Sequence, residues 1–354
     1  MIIFSRNQKQ HEMKGVSMNA IINREIRLKR RPVGIPDEGH FELVETRLPE
    51  PREGEVLVRN IYLSVDPYMR GRMNAVKSYV PPFELGKPLE GHCVGSVIAS
   101  RSDRFNPGDL VQSMFGWREY YLSNGTGLSG IEPGTVPLQA YLGVLGMTGF
   151  TAYVGLLDIG RPREGDTLFV SAASGAVGSI VCQIGKIKGC RVSGSAGSAR
   201  KIDWLKQEAG IDAALNYKET DDLSADVGKL CPDGIDIYYE NVGGRHLEAA
   251  LTHMNSIGRI VLCGMISQYN AVKPVPGPGN LFLAISKRLR LQGFIITDHL
   301  DRHGQFITDM QRWISEGKIR WKETIVDGIE NAPKAFVGLF KGENFGKMLI
   351  RVGS

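Results

Sequence analysis

The spacing of hydrophobic residues along this chain changes rhythm twice. From about residue 40 to 145, short apolar runs such as "GEVLVRNIYLSV", "CVGSVIAS" and "DLVQSM" are separated by Pro, Gly and Asp, the pattern of a mostly antiparallel β domain. From Gly146 to about Gly317, strand-like and helical runs alternate. "TLFVSA" is followed by Val177, Ile180, Val181, Ile184 and Ile187 at helical spacing, then by "CRVSGS", "AALNY", "DIYYEN", "RIVLCG" and "RLQGFII". This alternation predicts a parallel sheet covered by helices on both faces, hence an α/β chain. Phe306, Ile307, Met310, Trp313 and Ile314 share one helix face and are expected in the core. The stretch from about 320 to 354 returns to strand-like and turn-like sequence, expected to pack back on the first domain.

The expected organisation is therefore a domain over 146–319 inserted in one made of 19–145 and 320–354. Residues 1–18 read as a disordered extension, with Met18 an alternative start. A length of 354 residues suits two domains. A formal charge of +5 is compatible with an anionic small ligand and does not single out nucleic acid. The densest basic run, "REIRLKRR" at 24–31, reads as a solvated edge. Five cysteines without paired short spacing point to a reduced, cytoplasmic protein. The uncharged stretches 133–157 and 167–185 are too interrupted by Gly, Pro and Ser to read as membrane spans.

"TLFVSAASGAVGSIVCQIGKIKGC" reads strand, tight turn, helix, helix stop. Ala173, Gly175 and Gly178 occupy the three positions of G-x-G-x-x-G, with alanine in place of the first glycine. Such a turn brings backbone N–H groups to a pyrophosphate at a helix amino end, so a dinucleotide is expected there. About 20 residues on, where NAD proteins place a carboxylate on the ribose, "SGSAGSARK" has none. Ser198, Arg200 and Lys201 offer partners for a 2′-phosphate, favouring NADPH. The alternative is that Arg200 and Lys201 decorate a surface helix.

His92 beside Cys93 raises the question of zinc. As neighbours on a strand they point to opposite faces, and no other ligand set of suitable spacing is visible, so no metal is expected.

The motifs "YLSVDPYMRGRM", "GFTAYVGL", "AASGAVGS", "YYENVGG", "CGMISQYN" and "KGENFGK" together resemble the medium-chain dehydrogenase/reductase superfamily. Within it the chain is similar to the zinc-independent NADPH-dependent alkene reductases, the group of prostaglandin reductases, plant double-bond reductases and bacterial curcumin reductases, and nearest to the last. The resemblance covers about 24–352. It implies a Rossmann cofactor domain inserted in a GroES-like, mostly β catalytic domain, and a homodimer. It also implies that Gly175, Ala176, Val177 and Gly178 hold the pyrophosphate and that Lys201 and Tyr217 contact the 2′-phosphate. Asn241, Cys263, Gly264, Met265, Ile266, Ser267, Tyr269, Phe294, Ile295, Ile296 and Asn344 would line the cofactor, and Tyr68 and Tyr79 the substrate cleft. Thr148 stands where relatives often have proline.

Hydride addition to the β-carbon of an α,β-unsaturated carbonyl spreads charge over an enolate that hydroxyl donors can satisfy without a Lewis acid. Tyr269 is the expected donor, protonating the α-carbon or bonding the enolate oxygen, with water as the competing proton source. A packed tyrosine with a satisfied hydroxyl is the plainer alternative. Other activities left open are a zinc-free quinone reductase or alcohol dehydrogenase, and a non-catalytic NADPH-binding protein.

Overall fold

The computed structural model of the chain describes residues 21–132, 134 and 136–352; the expected extension 1–18 lies outside the described residues. The chain enters through β1 (Ile21–Leu28), paired antiparallel with β2 (Phe41–Leu48). This corrects the reading of 24–31 as a solvated edge. The charges conceal a strand period, and Ile26 and Leu28 are buried in the first core. Arg24 pairs with Glu119 at 2.6 Å, and Arg31 donates to the carbonyls of Met73 and Phe83 at 3.0 Å each.

The rest of the first half is the expected antiparallel β structure, with β3 (Val56–Ser64), β4 (Cys93–Ser100), β5 (Leu110–Ser113), β6 (Tyr120–Ser123) and β7 (Ser129–Gly130). β3 is central, with β4 on one side and β6 alongside. Val56, Val58, Leu63, Val97 and Val111 from these strands fill the space beneath.

Then the pairing becomes parallel. β8 (Thr167–Val170), β9 (Arg191–Ala196), β10 (Ala213–Asn216), β11 (Ile235–Glu240), β12 (Met254–Leu262) and β13 (Arg290–Gly293) form one sheet in the order β10-β9-β8-β11-β12-β13. α1 (Met147–Val154), which continues as one wider helical turn over Gly155–Gly160, leads into this sheet; α2 (Gly178–Ile187), α3 (Ala199–Gln207), α4 (Leu223–Leu230) and α5 (Arg245–His253) connect its successive strands up to β12, and α6 (His303–Ser315) follows β13. All four residues of β8 are buried, as expected of a central parallel strand covered on both faces. Phe306, Met310 and Trp313 of α6 enter the core as the helical spacing predicts. Strand order reverses between β8 and β11, which opens a crevice at their carboxyl ends.

The last segment is β14 (Glu323–Asp327), α7 (Ala332–Lys341) and β15 (Lys347–Arg351). β15 pairs antiparallel with β3, so the chain end completes the first sheet. The turn-like reading of this stretch missed α7. Its signals were present, with Pro333 in the first turn and Gly342 at φ 70° after the last, donating to the carbonyls of Gly338 and Leu339. Phe336 of α7 sits edge-on to both Phe41 and Trp117, centroids 6.2 Å away in each case, and thereby anchors the segment.

Candidate active site at the switch point

Gly175, Ala176, Val177 and Gly178 make the turn between β8 and α2. Ala172 sits at φ 49°, a left-handed strain that the turn imposes on a non-glycine residue. A Cβ on Gly178 would stand 2.4 Å from the Ala172 carbonyl, so only glycine lets the helix start here. Ala173, which replaces the usual first glycine, is accommodated by Gly194 on β9, where a Cβ would stand 2.5 Å from the Ala173 methyl. No side chain caps the amino end of α2; Ser179 and Ile180 N–H already donate to the carbonyls of Gly175 and Val177 at 3.0 and 3.1 Å, so among the described residues the N–H groups left for an anion are those of Ala176, Val177 and Gly178. The far wall comes from the chain end: Gly346 N–H donates to the Ser174 carbonyl at 3.0 Å, and Asn344 donates to the Gly346 carbonyl at 2.8 Å.

At the ends of β9 and β10, Ser198 begins α3 without engaging its hydroxyl in a cap. Lys201 Nζ reaches the Gly342 carbonyl at 2.7 Å. A Cβ on Gly197 would meet the Tyr217 hydroxyl at 2.9 Å and the Lys218 side chain at 3.1 Å. Ser198, Lys201, Tyr217 and Lys218 therefore converge on one spot, with no carboxylate at the end of β9. Burial first, and the charge of Lys218 second, hold the Lys201 pKa below the usual lysine value. Lys218 was missed in the sequence, although it directly follows Tyr217 in "LNYK". Arg200 is exposed and lies over the Phe345 ring, 5.6 Å from its centroid, rather than in this cluster. A glycine cradle at one end and a cationic, hydroxyl-bearing pocket at the other fit NADPH.

On the β11 side, Asn241 donates its backbone N–H to Ser171 Oγ at 2.9 Å and its side-chain amide to the Ser171 carbonyl at 2.8 Å, stitching the two sides of the crevice. The loop from Cys263 to Tyr269 is held below by bonds of Cys263 and Gly264 N–H to the Glu240 carbonyl, both 3.0 Å, and of Ser267 N–H to the Val242 carbonyl at 3.0 Å. Burial pushes the Cys263 thiol up to about 11. Phe294 and Ile296 are half-buried at the edge of the cofactor-side core, with Ile295 half-buried between them. A Cβ on Gly155 would stand 2.8 Å from the Phe294 ring.

The Tyr269 hydroxyl accepts the Met265 N–H at 3.3 Å. Among the described residues nothing accepts its own proton. Burial, ahead of the neighbouring Cys263, Tyr79 and Glu240, raises its pKa above the ordinary tyrosine value. Tyr79, although 62% exposed, lies within electrostatic reach of both Tyr269 and Tyr68. Burial raises Tyr68 strongly. Tyr79 is thus a neighbour of both Tyr68 and Tyr269, whereas Tyr153, Tyr238 and Tyr239 are core, Tyr239 donating to the Thr151 carbonyl at 3.0 Å.

Two family models match, described as "N-terminal domain of oxidoreductase" over 24–131 and "Zinc-binding dehydrogenase" over 176–316. The chain is 48% identical to the NADPH-dependent curcumin reductase of Escherichia coli over 337 residues, 93% of this chain and 97% of that one. It is 45% identical to the NADP(+)-dependent 2-alkenal reductase of Nicotiana tabacum over 338 residues, 94% and 98% of the two chains. The structure of CurA from Vibrio vulnificus in complex with NADPH superposes with a TM-score of 0.88 at 46% identity, covering 94% of this chain and 99% of that one. The chain belongs to the medium-chain dehydrogenase/reductases. In this dehydrogenase/reductase, no group of three His, Cys, Asp or Glu side chains among the described residues is arranged to hold a metal ion. Cys93 Sγ turns inward to Ser113 Oγ at 3.1 Å. His92 lies within electrostatic reach of a buried ion pair, Lys347 Nζ to Asp66 Oδ1 at 2.8 Å, with both side chains about as buried as the core. That pair joins residues 281 positions apart and left no local signal in the sequence.

Proposed function

We propose that this dehydrogenase/reductase uses NADPH to reduce the C=C bond of α,β-unsaturated aldehydes and ketones, of the 2-alkenal or curcumin-like type. The observation that carries this reading is the unclaimed O–H of Tyr269 at the mouth of the switch-point crevice. The relatives named for curcumin and 2-alkenal reduction support it.

NADPH supplies a hydride when bound. The α2 amino end and Gly175–Gly178 would hold its pyrophosphate, and Ser198, Lys201, Tyr217 and Lys218 its 2′-phosphate. Tyr269 is a phenol at neutral pH, and burial, which disfavours the phenolate, extends that range above the ordinary tyrosine value. It therefore offers a proton to the substrate oxygen or α-carbon as negative charge develops there. Tyr68 and Tyr79 close the opposite wall and confine the substrate. No metal is needed for this division of labour.

We further propose a cytoplasmic homodimer, divided into the two domains expected from the sequence. β13 ends its sheet, and Ile257, Leu281, Phe282 and Ile285 nearby are exposed apolar side chains that a second copy would cover. The five unpaired cysteines suit a reducing compartment. No helix of the described residues is long and apolar enough to cross a membrane.

The functional test is a set of steady-state assays with NADPH against an enone, a quinone and an alcohol/NADP⁺ pair. One saturated ketone formed per NADPH consumed is the expected result. Turnover of the quinone alone, or NADPH binding without turnover of any enone, would overturn the reading.

A further inference from the structure

The motif "DPYMRGRM" carries an arginine that neither the cofactor crevice nor the tyrosine wall uses. Arg70, in the short helix Met69–Arg72, is 3% exposed. A buried guanidinium ordinarily meets a carboxylate, because the charge has lost its water. None of the partners of Arg70 is acidic. Nε donates to Asn270 Oδ1 at 3.0 Å, Nη1 to Asn74 Oδ1 at 2.7 Å, and Nη2 to the carbonyls of Pro32 and Gly34 at 3.3 and 3.0 Å. Four of its five N–H groups are taken up by neutral oxygens.

The positions of those oxygens matter more than their number. Arg70 lies two residues beyond Tyr68, and Asn270 directly follows Tyr269. The other three acceptors belong to loops of the β-rich half. A single side chain therefore ties the wall bearing Tyr68 to the loop bearing Tyr269, across 200 positions of sequence. Its neighbour Arg72 works within one wall only, lying 4.1 Å over the Phe83 ring and donating to the Pro81 carbonyl at 2.9 Å and to Glu90 at 2.6 Å, which anchors the loop after Tyr79.

We propose that Arg70 is a positioning residue whose bond to Asn270 sets the separation of the two tyrosine-bearing walls, and with it the distance of the enone from the hydride donor. This rests on the enone-reductase reading. An amide acceptor suits the task, since it orients the fork but holds it less tightly than a carboxylate would, so the walls can part when product leaves.

Asn270→Ala removes the one acceptor on the far wall and leaves the other three bonds of Arg70 in place. With NADPH and an enone, kcat should fall about tenfold while the Kd for NADPH, read by fluorescence titration, stays within about twofold. The deuterium isotope effect on kcat, with NADPH labelled at the transferred position, should rise as hydride transfer becomes slower than release. Asn270→Asp restores an oxygen, but as a carboxylate that grips the fork more tightly, so hydride transfer should recover while product release slows, and the isotope effect on kcat should fall back to or below the wild-type value. Wild-type kcat and isotope effect in Asn270→Ala would overturn the proposal, as would parallel loss of NADPH affinity and thermal stability. The unsubstituted protein is assayed first, so that absence of any enone turnover counts against the functional reading and not against the clasp.

Discussion

Ala173 and Gly194 share room for one methyl group, because a Cβ on Gly194 would stand 2.5 Å from the Cβ of Ala173. Gly194→Ala should therefore destabilise the fold by about 1–3 kcal/mol through overpacking. It should also weaken NADPH binding, since Ala173 belongs to the phosphate turn. Ala173→Gly combined with Gly194→Ala moves the methyl from the turn to β9 and should restore most of the loss. Urea denaturation of the two single variants and the double variant checks the coupling; additive losses would refute it.

Lys201→Ala should raise the KM for NADPH about 10- to 100-fold and leave the KM for NADH nearly unchanged, as one charge-assisted bond of about 1.5–3 kcal/mol disappears. Lys218→Ala should act in the same direction. The Lys201 pKa is lowered, so its charge, and NADPH affinity with it, should already decline as pH approaches the ordinary lysine value of 10.5. KM measured for both cofactors across alkaline pH tests this.

Tyr269→Phe should lower kcat for an enone about 100-fold while NADPH still binds. Because the Tyr269 pKa lies above the ordinary 10.0, the donor stays protonated throughout the neutral range. Any alkaline limb of kcat that depends on Tyr269 must therefore lie above pH 10. A limb well below that value, abolished by the phenylalanine, would contradict the assigned role.

His246, 5% exposed and edge-on to Tyr217 with centroids 5.2 Å apart, has no partner for Nε2 among the described residues. Burial, aided by Arg245, lowers its pKa from 6.5 to about 4. Between those values the unfolded chain carries the proton and the folded chain does not. Stability is thus complete above pH 6.5 and lost as pH falls to about 4, by on the order of 3 kcal/mol. His246→Gln should flatten the change in urea midpoint across this window.

The parallel sheet was legible because each strand is a short apolar run between helical ones, and central strands buried on both faces tolerate little else. The strand, turn and helix from Thr167 to Ile187 were legible too, since backbone geometry there demands glycine at Gly178. The charge-rich β1 was not, because Arg24, Glu25 and Arg27 mask the alternation of Ile26 and Leu28. Lys218 was overlooked although it stands next to Tyr217, because only β10 ending beside β9 brings it to Gly197. Arg70, Asn270, Asp66 and Lys347 act across hundreds of positions, and no local pattern announces which distant residue a buried charge will meet. Alanine at position 173 was visible as a departure, but its compensation by Gly194 became apparent only once β8 and β9 lay side by side.

The pairing of β15 with β3 bears on the order of assembly during synthesis. Every strand of the parallel sheet has been made once Gly293 is in place, whereas the antiparallel sheet lacks β15 until Arg351 has been added. The nucleotide-holding half can thus fold while the earlier-made half still waits, its edge open, for the final residues. Nascent chains arrested shortly before Lys347 should accordingly protect the later-made half from protease and leave the earlier-made one susceptible.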